Sequence, residues 1–417
     1  MTTPRDLPDE PADPASTTCL IAGGGPAGMM LGLLLARAGI DVTVMEKHAD
    51  FLRDFRGDTV HASTLRNLDE LGLAGAFAKV PHRLIENLTL QMQGTPVSMD
   101  LSRLPGAHKH IALVPQWDFL EMLATAAQDE PSFRLLRSCE VLGPIHRGGR
   151  VAGARYRDAD GTERQMSAEL TVGCDGRSST LRSAAGLVPK SFGAPIDVWW
   201  FRLPRRHGDP RGLNGVFQTG QAVAVIDRGD YYQIAYLIPK GSDAAMRAAG
   251  IEALQRHVGT LVPWLADRVD ALTSFDDVKL LDVQLNRLRR WYTDGLLLIG
   301  DAAHAMSPVG GVGINLAVAD AVATARILAG PLRSGSVSTR QLARVQIRRV
   351  IPAALIQRFQ RLVQERVLAV GLTGDRQQRK PPLAIRVAGR IPALRAVAAY
   401  GIAIGPLPEH VPAYARR

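Results

Sequence analysis

The sequence predicts an α/β protein: a Rossmann-like nucleotide-binding domain, an inserted antiparallel β-sheet forming a second domain, and a helical C-terminal segment. Three observations carry this. The glycine-rich turn Gly23-Gly24-Gly25-Pro26-Ala27-Gly28 directly follows a short apolar run. A second apolar run, Gly295 to Ile299, enters a Gly300-Asp301 turn. Between them lie aromatic and β-branched runs split by Gly and Asp turns.

Thr18-Cys19-Leu20-Ile21-Ala22 has the length of a strand, and a helix over about residues 27–38, apolar nearly all round, follows the turn. Gly23 allows the tight turn, Gly25 lets backbone approach a pyrophosphate, and Gly28 lets the helix pack closely on the strand. The helix N-terminus offers unpaired N–H groups and a positive dipole end. A second strand, 40–45, ends at Glu46, placed to accept from ribose hydroxyls. Strand, helix, strand and terminal acid together predict a dinucleotide site, in which Pro26, Ala27 and Lys47 are included. They do not separate FAD from NAD, and a solvated strand-end acid is the other reading of Glu46.

The segment Pro308-Val309-Gly310-Gly311-Val312-Gly313-Ile314-Asn315 opens another helix, continuing to Leu328. Asp301, at a strand end, can accept from a sugar hydroxyl, and the glycines at 310, 311 and 313 allow backbone to lie against a flat ring. A cofactor needing contacts at both turns is long, which selects FAD. His304, after Ala302-Ala303, reads as structural.

With Cys174-Asp175-Gly176-Arg177-Ser178-Ser179-Thr180-Leu181-Arg182 between them, these segments resemble the three fingerprints of the single-component FAD-dependent aromatic hydroxylases. This is the para-hydroxybenzoate hydroxylase-like family of group A flavoprotein monooxygenases, and order and spacing match over about residues 18–330. The resemblance implies that Gly23, Gly25, Gly28 and Glu46 hold the adenosine half of FAD and Asp301 its ribityl and pyrophosphate region. It implies FAD and NAD(P)H contacts for Asp175, Gly176 and Arg182, an arginine beside the cofactor at Arg56, and a helix-start contact at Gln116. Gly300, Pro308, Gly311, Gly313, Ile314 and Asn315 belong to the third fingerprint. Plainer readings stay open: a surface ion pair for Arg182, a solvated loop charge for Arg56, an ordinary helix start for Gln116.

The chemistry implied by the resemblance is hydroxylation of an aromatic or polycyclic small molecule. NADPH or NADH is the co-substrate, and dioxygen adds to the flavin as a C4a-hydroperoxide. The alternatives are a quinone-ring hydroxylase with a lipid substrate and a flavin-dependent reductase or dehydrogenase that does not activate oxygen. A halogenase is disfavoured, since Val198-Trp199-Trp200-Phe201 is a poor substitute for Trp-x-Trp-x-Ile. No catalytic base is assigned; His61, Arg202 and Tyr231 are candidates.

The expected FAD-binding domain is discontinuous, over 18–85, 113–190 and 276–335, after a disordered tail at 1–17. Residues 86–112 and 191–275 form the expected substrate domain, with strands at Asp197–Leu203, Ala222–Ile226 and Tyr231–Ile238 joined by Asn87–Met99. Trp200, Arg202, Tyr231 and Tyr232 must divide between its two faces, in a division the sequence leaves open. Residues 146–172 read as a hairpin, and 336–417 as a helical region.

Composition bounds the rest. Hydrophobic residues make up 46% of the chain, as in globular proteins, and no run of 18 uncharged apolar residues occurs. Cys19, Cys139 and Cys174 have no metal-ligand spacing and fit a reducing, cytoplasmic location with no metal site. Residues 331–417 hold 16 Lys/Arg against three acids, so the net +10 charge belongs to the C-terminal segment. That segment lacks the aromatic alternation of a nucleic-acid binder, and a solvated face is preferred over contact with a membrane surface. The expected partner is a small aromatic substrate, and the protein a monomer or homodimer.

Overall fold

The computed structural model describes residues 15–52, 59–92, 95–218, 221–365 and 392–417. Arg56 and most of the expected tail lie outside the described residues. The first strand, β1 (Ala15–Ala22), starts three residues before Thr18, because Ala15–Thr17 pair with Met166–Ala168. It is followed by α1 (Pro26–Ala36) and β2 (Val42–Glu46).

These strands belong to an eight-stranded sheet with β3 (Phe133–Arg137), β4 (Glu140–Arg147), β5 (Arg150–Arg157) and β6 (Glu163–Gly173). Its main path runs Tyr292–Thr293, Leu296–Leu298, β6, β1, β2, β3. Cys19 to Ala22 are at most 1% exposed, so β1 is apolar on both faces, as expected for a central parallel strand covered on both sides. Residues 140–173 form three antiparallel strands instead of a simple hairpin. The eleven-residue β6 pairs β5 at its start, β1 along its length and Leu296–Leu298 at its end.

Every residue of α1 from Ala27 to Ala36 is buried, which explains why the helix shows no polar face. The remaining helices used below are α2 (Ala62–Glu70), α3 (Gln116–Gln128), α4 (Gly313–Arg333), α5 (Thr339–Val363) and α6 (Pro392–Ala403). α4 has the length and composition of a membrane span. However, 67% of its apolar window is buried inside the protein, and Val318, Ala321, Val322 and Ala325 join the same core as α1. It is a core helix.

A seven-stranded sheet runs in the order Lys279–Leu281, β7 (Ile196–Pro204), then Tyr231–Pro239, Gln221–Asp227, Leu213–Gln218, Asn87–Met92 and Thr95–Asp100. In chain order the middle three strands are β8 (Leu213–Gln218), β9 (Gln221–Asp227) and β10 (Tyr231–Pro239). The sheet is antiparallel except where β8 lies parallel to Asn87–Met92, a strand supplied from far up the chain instead of through a hairpin.

The two faces of this sheet are now separated. Trp199, Phe201, Leu203, Tyr232, Ile234 and Tyr236 bury against the helix Ile251–Leu261 and the turn Pro263–Ala271. On the other face, Val198, Trp200, Ala222, Ala224, Ala235 and Leu237 cluster with Val309, from the loop before α4. Cross-strand pairs share a face, so Arg202, paired with Gln233, and Tyr231, paired with Pro204, lie on the Trp200 side.

Candidate functional site at two abutting turns

The first turn is fixed by backbone contacts. Gly23 donates to the Met45 carbonyl at 2.8 Å and Cys174 to the Ala22 carbonyl at 2.7 Å. Gly23 has φ +102°, and a Cβ there would lie 2.5 Å from the Cys174 carbonyl oxygen. A Cβ on Gly28 would lie 2.0 Å from the Gly23 carbonyl oxygen. Around Gly25, in contrast, none of the described residues comes within 4 Å of the Cβ position. Gly25 caps α1 with no side-chain hydrogen bond, and Pro26 occupies the first turn, where its missing N–H costs nothing. The helix N-terminus therefore opens onto free space, a cradle suited to an anion.

Glu46 is 4% exposed and supports this turn directly. Its Oε2 accepts from Gly24 N–H at 2.9 Å and its Oε1 from His48 N–H at 3.0 Å. Lys47, the next residue, is exposed.

The second turn abuts the first. Gly300 has φ +60°, and its Cβ position lies 3.3 Å from the Ala27 Cβ at the start of α1. Asp301 is only partly covered and pairs with Arg177 Nε at 3.2 Å. Asp175 lies just after β6: its Oδ2 accepts from Leu181 N–H at 3.1 Å, while its Oδ1 is buried without a hydrogen-bond partner among the described residues. Burial raises the Asp175 pKa, against hydrogen bonds from Ser179 and Leu181 that lower it. Gly176 has φ +80° and an open Cβ position.

Arg182 is neither on the surface nor paired with an acid by a hydrogen bond. It is 8% exposed and donates to the carbonyls of Ala302, at 3.1 Å, and Arg177, bracing the 174–182 segment against the second turn. Asn315 is likewise engaged by protein on all sides. Its Oδ1 accepts from His61 N–H at 2.8 Å and Thr64 Oγ1 at 2.7 Å, and its Nδ2 donates to the carbonyls of Thr59 and Gly311. Thr59 Oγ1 in turn donates to the Gly311 carbonyl at 2.6 Å, and Gly311, at φ +61°, has no room for a Cβ beside it. Ile314 is buried, Pro308 is half-exposed, and Gly313 opens α4 with free space at its Cβ position. Gln116 is the first residue of α3 and half-buried.

Two of the three candidate bases, Arg202 and Tyr231, meet, and His61 lies on another element, before α2. His61 is 1% exposed, with Nδ1 2.7 Å from the Ile402 carbonyl in α6, and burial lowers its pKa to about 4. Arg202 lies over the Tyr231 ring at 4.6 Å, on the seven-stranded sheet.

Sequence reasoning missed the acid that seats the second turn. Asp320, fully buried in α4, accepts from Gly300 N–H at 3.1 Å and sits 2.6 Å from His304 Nε2 and 2.9 Å from Arg349 Nε. Burial works to raise its pKa, but His304 and Arg349 outweigh that and hold it below the usual carboxylate range. Arg349 reaches Glu409, which also takes Arg348 at 2.7 Å and Arg326 at 3.0 Å. An acid inside an apolar helix, facing an arginine-rich helix later in the chain, was the available signal.

Turns that touch in this way, one open at a helix N-terminus and the other bearing a partly exposed strand-end acid, define a flavin dinucleotide oxidoreductase. Comparison with known proteins agrees. A family model described as an FAD binding domain matches residues 16–358. The chain is 35% identical over 397 residues to 6-methylpretetramide 4-monooxygenase of Streptomyces rimosus, covering 94% of this chain and 93% of the relative. Two solved structures share the fold. PqsL of P. aeruginosa, in complex with 2-aminobenzoylacetate, has TM-score 0.75 at 20% identity over 86% of this chain and 99% of its own. The OxyS anhydrotetracycline hydroxylase of Streptomyces rimosus has TM-score 0.72 at 22% identity over 93% and 76%. The chain belongs to the family of FAD-dependent aromatic monooxygenases.

Proposed function

We propose that this protein uses NADPH or NADH, FAD and dioxygen to hydroxylate a fused polycyclic aromatic compound. The observation that carries this is the abutment of the Gly300 turn on the first turn of α1, 3.3 Å apart at the Cβ positions. One extended cofactor can then touch both turns. The open space at Gly25 and the unpartnered buried Asp175 Oδ1 fit such a group. The polycyclic class rests on the tetracyclic compounds named for the relatives.

In this reading the backbone of Gly23 to Gly28, with Pro26 and Ala27, receives the pyrophosphate at the N-terminus of α1. Glu46 and Lys47 stand at the adenosine ribose, Asp301 at the ribityl chain, and the Pro308–Asn315 loop and Gln116 at the ring system. Asp175 and Gly176 complete the middle. Arg182 and Asn315 are positioning residues, which shape the turns through backbone carbonyls. When bound, the flavin supplies the redox chemistry, carrying electrons from NAD(P)H to dioxygen so that one oxygen atom enters the substrate and the other leaves as water. The protein contributes orientation, the positive N-terminal end of α4 beside Gly313, and exclusion of water. His61 serves as an anchor for α6: its Nδ1–H donates to the Ile402 carbonyl, and its Nε2, without a partner among the described residues, is buried and made a weak base by the pKa lowered to about 4.

Purified protein should carry about one FAD per chain, bleach under NAD(P)H, and consume NAD(P)H faster when a four-ring phenol is added. Protein that binds no FAD, or that turns the substrate over equally well without oxygen, contradicts the proposal.

A further inference from the structure

The net positive charge of the chain lies in its C-terminal segment, and α5 shows how part of it is arranged. Leu342, Val345, Pro352, Ala353 and Ile356 bury the inner face of this helix. On the outer face Ile347, Ile351, Leu355, Phe359 and Leu362 recur at helical spacing, each between 46 and 66% exposed. From Ile347 to Leu362 the stripe runs about 22 Å along the axis. Bulky apolar side chains left in water forgo the free energy of burial, so a continuous exposed stripe of them marks an interaction surface.

The same face is cationic. Arg340, Arg344, Arg348, Arg358 and Arg361 are exposed along it, and the one acid between residues 339 and 365 is Glu365. Arg348 is taken by Glu409, and Arg361 lies 3.6 Å from Glu365. Arg340, Arg344 and Arg358 have no ion pair among the described residues. At the end of the stripe the two kinds of side chain converge, because Leu355, Phe359 and Leu362 line one open surface hollow together with Arg358 and Arg361.

This combination discriminates between occupants. A second copy docked through the same stripe would bring five arginines against five, with one Glu365 on each side, and like charges placed together oppose association. An anionic bilayer meets both features at once. The apolar side chains enter the headgroup boundary, and the arginine stems lie along it with their guanidinium groups at the lipid phosphates.

We propose that the outer face of α5 docks the protein on an anionic lipid bilayer, with the helix lying in the interface plane. Docking places the protein beside the phase into which a fused polycyclic aromatic compound partitions. The surface is independent of the flavin chemistry, since vesicle binding is read without turnover.

The test is flotation of the full-length purified protein with vesicles of phosphatidylcholine alone and of phosphatidylcholine mixed with phosphatidylglycerol. At low salt the protein should float with the anionic vesicles and not with the neutral ones, and binding should weaken as salt is raised. Arg344→Gln and Arg358→Gln should each weaken binding about fivefold. Leu355→Gln should weaken it about tenfold. All three positions are exposed, so melting temperature should stay unchanged. Protein that stays out of the anionic vesicle fraction at low salt, or that binds both vesicle types equally, overturns the proposal. So does a Leu355→Gln variant that floats as well as the wild type, or one that converts a dimer to a monomer in analytical ultracentrifugation, which assigns the stripe to a second copy.

Discussion

The two turns that meet at Ala27 and Gly300 are held by different means. The turn at 23–28 is shaped mainly by close backbone approach: a side chain at Gly23 or Gly28 would collide with the carbonyl oxygen of Cys174 or Gly23, 2.5 and 2.0 Å away, and Glu46 adds a hydrogen bond to Gly24 N–H. The turn at 300–302 is held from outside, by Asp320 on Gly300 N–H and by Arg182 on the Ala302 carbonyl. Asp320 is itself held by His304 and Arg349, and through Arg349 by Glu409 near the C-terminus. One end of the candidate site is thus set mainly by steric fit of the backbone, and the other mainly by buried ion pairs. Through Glu409 the C-terminal segment therefore supports the second turn.

Substitutions can break or sharpen that contrast. Asp320→Ala should have the largest effect, since it leaves Arg349 buried without its main partner; a loss of about 3–5 kcal/mol in denaturant unfolding is expected, together with weakened FAD retention. An Asp320→Ala protein of unchanged stability would remove the electrostatic half of the comparison. Gly28→Ala should cost about 3 kcal/mol through collision with the Gly23 carbonyl, and should lower the FAD-to-protein ratio.

The pH dependence should be smaller per unit. The folded state holds His61 neutral down to about pH 4, below its ordinary value of 6.5. The unfolded chain therefore binds more protons between these values, and stability is fully present above pH 6.5 and falls as pH drops toward 4. The slope approaches roughly 1.4 kcal/mol per pH unit. Melting curves from pH 7 to pH 5 should show this fall in the wild type and a flatter profile in His61→Gln. Thr59→Val should be mildest, losing the hydrogen bond to the Gly311 carbonyl at a cost of about 1 kcal/mol.

What the sequence revealed follows the same division. Gly23 and Gly28 were legible because a backbone constraint appears as a residue type at a fixed spacing, and their strand-helix-strand setting was legible from periodicity. The acceptors of Arg182 were not legible: its guanidinium donates to the carbonyls of Ala302 and Arg177, and a lone arginine does not announce its acceptor. Asp320 and Arg349 lie 29 positions apart, and Arg349 and Glu409 lie 60 apart, so nothing local marks either pairing. The two faces of β7 were undecidable for another reason. Both are apolar, so alternation identified the strand without saying which of Trp199 and Trp200 meets the helices.

The central claim is that electrons from NAD(P)H and one atom of dioxygen converge on a polycyclic aromatic substrate. Mass spectrometry of the product formed under ¹⁸O-labelled dioxygen, with NAD(P)H and a four-ring phenol, tests it most directly. One labelled oxygen per product molecule, in step with NAD(P)H consumed, is predicted. An unlabelled product, or peroxide released in step with NAD(P)H and no oxygenated product, would contradict it.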